Sequence, residues 1–340
     1  MTSYGAKWGT AIVLDPGTGE ILAAANRPTY DPNAYPPVTP EEGRNRAIQN
    51  TFEPGSTFKI ITAAAARELG HIGLNTFYDC SEGSIVLGGG AVRDHKRMGI
   101  LSFPEVFIES SNVGTIKIAQ LLGEEKLYRM IKAFHFGERT GIDLPGEEYG
   151  ICRPLANWRK SSLRISIGYE ISVTALQVLR AMNVIATRGL LVQPCISHTS
   201  ADSVGPSPAA EKRILSQKTS AELTEIFKRV VEEGTGEPGR LDGFDIAGKT
   251  GTSQKLDADR EGYSASLHLT SFVGFVPADN PVLSMIIVID EPKGVLQYGG
   301  QVSAPVFREI AARTLRYLHE IPKPSPEPLV SAQLQKASRS

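Results

Sequence analysis

The sequence predicts an α+β fold whose sheet is assembled from both ends of the chain. Three observations carry this. Residues 8–26, "WGTAIVLDPGTGEILAAAN", form two apolar runs around Asp15-Pro16-Gly17-Thr18-Gly19. Near the other end, "GFDIAGKTGTSQ" at 243–254 and "LTSFVGFVPADNPVLSMIIVID" at 269–290 read as a strand and a strand pair. Between them the apolar spacing is helical over 56–69, 104–136, 172–187 and 216–233.

Taken in order, the first two runs form a β-hairpin, its glycines supplying the backbone freedom of a tight turn. Residues 28–46, rich in proline and polar groups, suit a surface loop. A helix then starts at Ser56 and runs through Ala63–Ala66 to Leu69, with Gly70 as its stop. Residues 75–103 hold short strand-like pieces, and Gly88-Gly89-Gly90 is a hairpin turn. The polar stretch 255–266 is expected to form a mobile lip beside the preceding strand, and "SAPVFREIAARTLRYL" closes the fold as a helix. The expected organisation is one domain over 1–320, with a helical subdomain over about 56–235 and a proline-rich, disordered tail from 321 to 340. There is no internal repeat.

Composition narrows the function classes. With 41% hydrophobic residues, 340 residues bury a real core. A net charge of -1 gives no basic excess, so nothing in the composition points to nucleic acid or to an anionic membrane surface. Cys80, Cys152 and Cys195 form no CxxC pair, and none has a histidine at ligand spacing, so no metal is expected. Cys80 reads as a small buried residue. Asp94-His95 lacks a third ligand and is expected in a surface turn. No apolar run reaches the eighteen residues of a membrane span, and Met1-Thr2-Ser3 opens no signal peptide.

One basic side chain, Lys59, stands inside "TFEPGSTFKIITAAAA", a run that otherwise reads as protein interior. On a helix, Ser56 and Lys59 share one face and touch. Pro54 and Gly55 put Ser56 at the helix N-terminus, where backbone N–H groups are unpaired and the dipole favours negative charge. A serine becomes nucleophilic when a neighbouring base takes its proton, and a lysine is that base once burial or a second cation makes it neutral. Phe58, Ile60 and Ile61 supply the apolar setting. The spacing S-x-x-K alone arises by chance roughly once in a chain of this size. Two further fragments add weight. "IESSNVGT" carries Ser110-Ser111-Asn112, a hydroxyl and an amide able to face one cleft. "AGKTGTS" carries Lys249-Thr250-Gly251-Thr252 on a strand, with Lys249 and Gly251 facing one way and the threonines the other. There Gly251 has no side chain to obstruct a ligand. Singly, these fragments are a helix cap and a strand ending in a turn. As an ordered set they are far more specific.

That set resembles the S-x-x-K, S-x-N and K-T-G motifs of the penicillin-recognising serine acyltransferases. Over residues 8–320 the chain resembles the transpeptidase domain of class B penicillin-binding proteins, through "RNRAIQNTFEPGSTFK", "SSNVGTIKIAQLLG", "TGIDLPGE", "IGYEISVTALQ" and "YGGQVSAPVF". Its opening and closing segments look most like septal or sporulation-type members. The resemblance implies a β-lactamase/transpeptidase-like fold: a central five-stranded antiparallel sheet flanked by helices, with an inserted, mostly helical subdomain. It implies that Ser56 attacks the penultimate D-alanine of a peptidoglycan stem peptide with Lys59 as base, and that Ser110 relays a proton to the leaving D-alanine. Asn112 would bond the substrate and Lys59. Lys249 would keep Lys59 neutral and attract the terminal carboxylate, which Thr250 and Thr252 would bond beside Gly251. The oxyanion hole would be the backbone N–H groups of Ser56 and Thr252. No cofactor is implied. The implied partners are D-Ala-D-Ala stem peptides, β-lactam antibiotics and cell-wall synthesis proteins, with no nucleic acid. The implied location is the outer face of the bacterial cytoplasmic membrane, since members of the class carry a membrane anchor and pedestal, which would lie outside this chain.

Two positions depart from the family pattern. Glu170 replaces glycine in Gly-Tyr-Gly, at a site expected to need positive φ, and Ala175 follows Thr174 where proline is usual. The competing readings are a serine β-lactamase, a D,D-carboxypeptidase and a β-lactam sensor. Against the first, no glutamate stands in E-x-x-L-N spacing to Asn157 or Asn183. Against the sensor stands Asn112, because such domains resemble enzymes with valine there.

Overall fold

The computed structural model describes residues 4–33, 39–88, 90–158, 162–196, 212–256, 262–294 and 298–323. Five strands build the main sheet: β1 (Trp8–Leu14), β2 (Ile21–Arg27), β3 (Ala247–Leu256), β4 (Tyr263–Val276) and β5 (Leu283–Asp290). Their spatial order is β3-β4-β5-β1-β2, and every pairing is antiparallel. The N-terminal hairpin therefore docks directly on the last strand, Trp8 opposite Asp290 and Ile12 opposite Ile286. This is the two-ended sheet expected from the sequence.

β5 reads "LSMIIVID" without polar alternation because both of its faces are covered. Ile286 and Val288 join Ile12, Val273 and Phe275 on the side of the helical subdomain. Met285, Ile287 and Ile289 join Phe272, Val302 and Phe307 beneath helix α7 (Gly299–Tyr317). The two-residue side-chain period of the strands thus supplies two cores. The remaining helices are α1 (Lys59–Glu68), α2 (Phe103–Ile108), α3 (Asn112–Leu122), α4 (Glu124–Ala133), α5 (Ala175–Ala186) and α6 (Gln217–Glu232). They lie between β2 and β3 in sequence. Every residue of α1 from Lys59 to Ala66 is buried, so this helix is surrounded on all sides.

Several expectations are corrected. The helical stretch 104–136 is three helices, broken at Ser110, with φ 55°, and at Gly123, with φ 87°. The stretch 28–46, of which residues 34–38 lie outside the described residues, contains one helical turn, Pro40–Gly43 under a Thr39/Glu42 capping box, and runs into a second, Arg46–Gln49 capped by Asn45. Ser56 does not begin an α-helix. It lies in a 3-10 turn, Gly55–Phe58, and α1 starts at Lys59. The cause is tertiary: Gly55 has φ 54°, and a Cβ there would stand 2.8 Å from the Thr252 carbonyl oxygen. Strands Ser84–Leu87 and Gly90–Arg93 pair on either side of the expected glycine turn, of which Gly89 lies outside the described residues. Residues 257–261, the centre of the expected lip, lie outside the described residues, as do 324–340 of the tail. Lys323, near the start of that tail, donates to Asp245 and Asp279 at 2.6 and 2.8 Å.

Candidate active site

Three elements bring the motif residues together. The 3-10 turn Gly55–Phe58 carries Ser56 and packs against β3, the edge strand of the sheet. The break between α2 and α3 carries Ser110, and β3 carries Lys249 to Thr252. Ser56, Ser110, Asn112, Thr250 and Thr252 line one cleft of about 420 Å³. Lys59 and Lys249 lie beneath its floor, each fully buried.

Ser110 Oγ is the point where the two lysines meet. It accepts from Lys249 Nζ at 2.9 Å and from Lys59 Nζ at 3.3 Å, while Lys59 also donates to the Ser110 carbonyl oxygen at 2.6 Å. The left-handed backbone of Ser110 turns both oxygens toward the amines. The contact expected between Lys59 and Ser56 is replaced by these bonds, because a carbonyl oxygen is the better acceptor for a buried amine. Lys249 donates further to the carbonyl and hydroxyl of Thr250, at 3.2 and 3.4 Å.

Burial sets the charge state of both lysines. It lowers Lys59 to about 7, opposed by the negative charge of Asp94. It also holds Lys249 well below the usual lysine range, with repulsion from Lys59 acting in the same direction. The apolar setting expected from the sequence thus acts on Lys59 through desolvation, while the repulsion between the two amines lowers Lys249.

Asp94 organises the second motif. Its carboxylate accepts from Ser111 Oγ at 2.8 Å, from Asn112 N–H at 2.5 Å and from Val113 N–H at 3.1 Å. A carboxylate at a helix N-terminus satisfies unpaired N–H groups and complements the dipole. The sequence reading placed Asp94-His95 in a surface turn, yet both line the cleft. Asn112 Nδ2 donates to the Arg93 carbonyl oxygen at 2.8 Å and does not reach Lys59, another expectation the geometry corrects.

Glycine at 251 has a different purpose from the one expected. A Cβ there would stand 2.3 Å from Ser271 Oγ and 2.8 Å from Thr57 Cγ2, so the residue lets β3 press against the Ser56 turn. On β3, Thr250 and Thr252 face the cleft; Thr250 Oγ1 pairs with Thr235 Oγ1 at 2.8 Å and Thr252 Oγ1 accepts from Gly299 N–H at 3.0 Å. As an edge strand, β3 leaves alternate N–H groups unpaired. Ser56, second in its 3-10 turn, has no carbonyl within the turn for its own N–H. Thr235, Tyr169 and Tyr298 also line the cleft. Tyr169 and Tyr298 lie in stretches that carry the family resemblance but were given no role, and Thr235 was marked by no motif because it arrives from a separate loop. Glu170 has φ 62°, the strained value expected of it, and its N–H donates to Glu53 at 2.7 Å. Cys80 is buried, as expected, and among the described residues no group of histidine, cysteine and carboxylate side chains could hold a metal ion.

A nucleophile beside unpaired N–H groups, above two amines that share one hydroxyl, is equipped for acyl transfer. Comparison with known proteins agrees. The family model of the penicillin-binding protein transpeptidase domain matches residues 9–312. The chain is 38% identical over 325 residues to stage V sporulation protein D of Bacillus subtilis, covering 92% of this chain and 50% of that protein. It is 36% identical to penicillin-binding protein PbpB of Mycolicibacterium smegmatis, covering 97% of this chain and 53% of that protein. It spans about half the length of these curated relatives. Among solved structures, the transpeptidase domain of Burkholderia pseudomallei penicillin-binding protein 3 superposes with a TM-score of 0.84 at 33% identity, covering 96% of this chain and 92% of that one. Penicillin-binding protein 3 of Mycobacterium tuberculosis in complex with ampicillin gives 0.86 at 33%, covering 96% and 75%.

Proposed function

This chain belongs to the penicillin-binding protein transpeptidase family, and from that premise we propose that it is a serine D,D-transpeptidase that cross-links peptidoglycan stem peptides and is acylated by β-lactams. The observation that carries the reading is Ser110 Oγ held between Lys59 and Lys249 beside Ser56. Ser56 Oγ attacks the carbonyl carbon of the penultimate D-alanine, and neutral Lys59 takes its proton. The carbonyl oxygen gains negative charge and is met by the N–H groups of Ser56 and Thr252; losing one such donor costs about 10²–10³ in rate. The C–N bond then breaks, and a proton passes through Ser110 to the departing D-alanine nitrogen. An amine of a second stem peptide attacks the acyl-enzyme, restoring the Ser56 hydroxyl and forming the cross-link.

The terminal carboxylate of the substrate sits on Thr250 and Thr252. Its charge favours the protonated form of Lys249, opposing the effect of burial. We further assign the domain to the outer face of the cytoplasmic membrane, working with other cell-wall synthesis proteins. Among the described residues no helix is long and apolar enough to cross a membrane.

Mass spectrometry after incubation with benzylpenicillin tests the reading. The expected result is one covalent adduct on the peptide containing Ser56, absent in Ser56→Ala. An unmodified protein, or an adduct elsewhere, overturns it.

A further inference from the structure

A second cavity, of about 510 Å³, borders the segment that leads into the nucleophile turn. Its floor is one row of opposed residues running across four strands. Ser253 of β3 faces Leu269 of β4, Leu269 faces Asp290 of β5, and Asp290 faces Trp8 of β1. Directly paired residues point to the same side of a sheet, so these four side chains share the cavity's face. Because Ser253 alternates with Thr252 along β3, this face is opposite the one that carries Thr250 and Thr252. The walls come from residues 50–53, just ahead of Ser56, and from residues 170–172.

Two acceptor oxygens of the lining have no donor. Asp290 is 0% exposed, and its Oδ2 accepts from Lys255 Nζ at 2.9 Å. Its Oδ1 is closed to water and has no hydrogen-bond partner among the described residues, and Asn50 Oδ1 is in the same state. Buried acceptors left in this way weigh against the fold until a donor reaches them. The charges point in the same direction. Glu53, Glu170 and Asp290 stand against Lys255 and the exposed Arg153, and Lys255 is already shared between Asp290 and Glu291. Glu53 accepts from two neutral donors, the Glu170 N–H at 2.7 Å and the Tyr263 hydroxyl at 3.1 Å, while burial and the Glu170 charge both raise its pKa.

What completes such a lining is a donor that carries positive charge. Among the described residues no group of histidine, cysteine and carboxylate side chains could hold a metal ion, so the fitting group is an organic cation. An ammonium brings three N–H donors and no acceptor. Trp8, directly opposite Asp290, is the aromatic side chain best suited to lie against it. Phe52, Ile171 and Leu269 give the cavity an apolar wall that suits an aliphatic stem. We propose that this cavity binds an aliphatic amine in its protonated form, with the ammonium bonded to Asp290 and Asn50. Half-buried Asn50 is the side chain that turns to admit it. An occupant would tie residues 50–53 to the sheet and so brace the turn that carries Ser56. Two sources supply this chemistry: a free aliphatic amine, or the amine of an uncross-linked stem peptide, the second of which rests on the transpeptidase reading.

The test is a fluorescence titration with pentylammonium chloride. The chain has two tryptophans, Trp8 and Trp158, so in Trp158→Phe the emission reports on Trp8 alone. A saturable change is expected with pentylammonium, and none with 1-pentanol at equal concentration or with sodium chloride at equal ionic strength. Asp290→Asn should weaken binding by about tenfold or more, and Asn50→Asp, which adds a second charge at the other unpaired oxygen, should tighten it by about tenfold. A poorly folded variant does not bind more tightly, so the second substitution keeps the test decisive. The peptide L-Ala-γ-D-Glu-L-Lys and its Nε-acetyl form then separate the sources. Tighter binding of the peptide than of pentylammonium, abolished by acetylation, assigns the site to stem peptides, and binding no tighter assigns it to free amines. An equal response to 1-pentanol, or an affinity unmoved in Asn50→Asp, overturns the proposal. The adduct on Ser56 decides the transpeptidase reading separately.

Discussion

Replacing Lys59 by methionine should abolish acylation and stabilise the protein at neutral pH. Lys59 is fully buried and titrates at about 7 instead of 10.5. The unfolded chain holds its proton up to 10.5, while the folded chain releases it above about 7. Folding therefore carries a penalty in full below pH 7 that fades as pH rises to 10.5. The difference, 10.5 − 7 = 3.5 pH units, corresponds to about 5 kcal/mol at about 1.4 kcal/mol per unit. Methionine fills similar volume without a charge to desolvate. Its cost is the Ser110 carbonyl oxygen left without a donor, about 1–3 kcal/mol. The net gain is then about 2–4 kcal/mol at pH 7. At pH 9.5 only about 1.4 kcal/mol of the penalty remains and the advantage disappears. Loss of the like charge beside Lys249 acts in the same direction at neutral pH. Urea unfolding of both proteins at pH 7 and pH 9.5, with equal slopes, measures the difference from the midpoints. A variant less stable than wild type at pH 7, or a difference that does not change with pH, would refute the account of a desolvated base.

Three further outcomes follow from the same geometry. Acylation should rise with pH through a limb near 7, as Lys59 becomes neutral. In Asp94→Asn that limb should move to lower pH, since Asp94 favours the charged lysine, and rates should fall as α3 loses its cap; an unmoved limb would contradict the coupling. Glu170→Gly should relieve the strain of φ 62°, adding about 1 kcal/mol and raising Tm by about 2 °C; an unchanged Tm would mean the loop holds no strain there. Gly251→Ala should drive β3 away from the Ser56 turn because of the 2.3 Å approach to Ser271 Oγ. It should slow acylation about a hundredfold per ångström of displacement, and an acylation rate within twofold of wild type would show that the strand need not press there.

What the sequence made legible was periodic or ordered. The hairpin over 8–26, the continuous apolar run of β5 and the buried stretch of α1 each carry their period in a local window, and the three motifs are visible as an ordered set. What stayed hidden depends on neighbours distant in the chain. Ser56 sits in a 3-10 turn because Gly55 meets the backbone of Thr252, almost two hundred residues later. Asp94 looked like part of a surface turn because the helix it caps begins eighteen residues on. The role of Gly251 stayed hidden because the atoms a Cβ there would meet belong to Ser271 and Thr57, which no local pattern places beside it.

The charge logic of the site was hidden for the same reason, and it explains why a fold would keep two lysines in its interior. A buried ammonium costs stability unless paired with an acid, and among the described residues neither lysine has a carboxylate as a hydrogen-bond partner. Pairing either one would restore its usual pKa and remove the neutral amine that Ser56 needs. Asp94 shows how close the balance lies. It is near enough to raise Lys59, yet its lone pairs are committed to Ser111 Oγ and the N–H groups of Asn112 and Val113. Its charge is therefore spent on holding the serine-bearing loop in place. The instability of the lysine pair is then a requirement of the chemistry, and an acid engineered within reach of Lys59 would make the protein more stable and the serine inert.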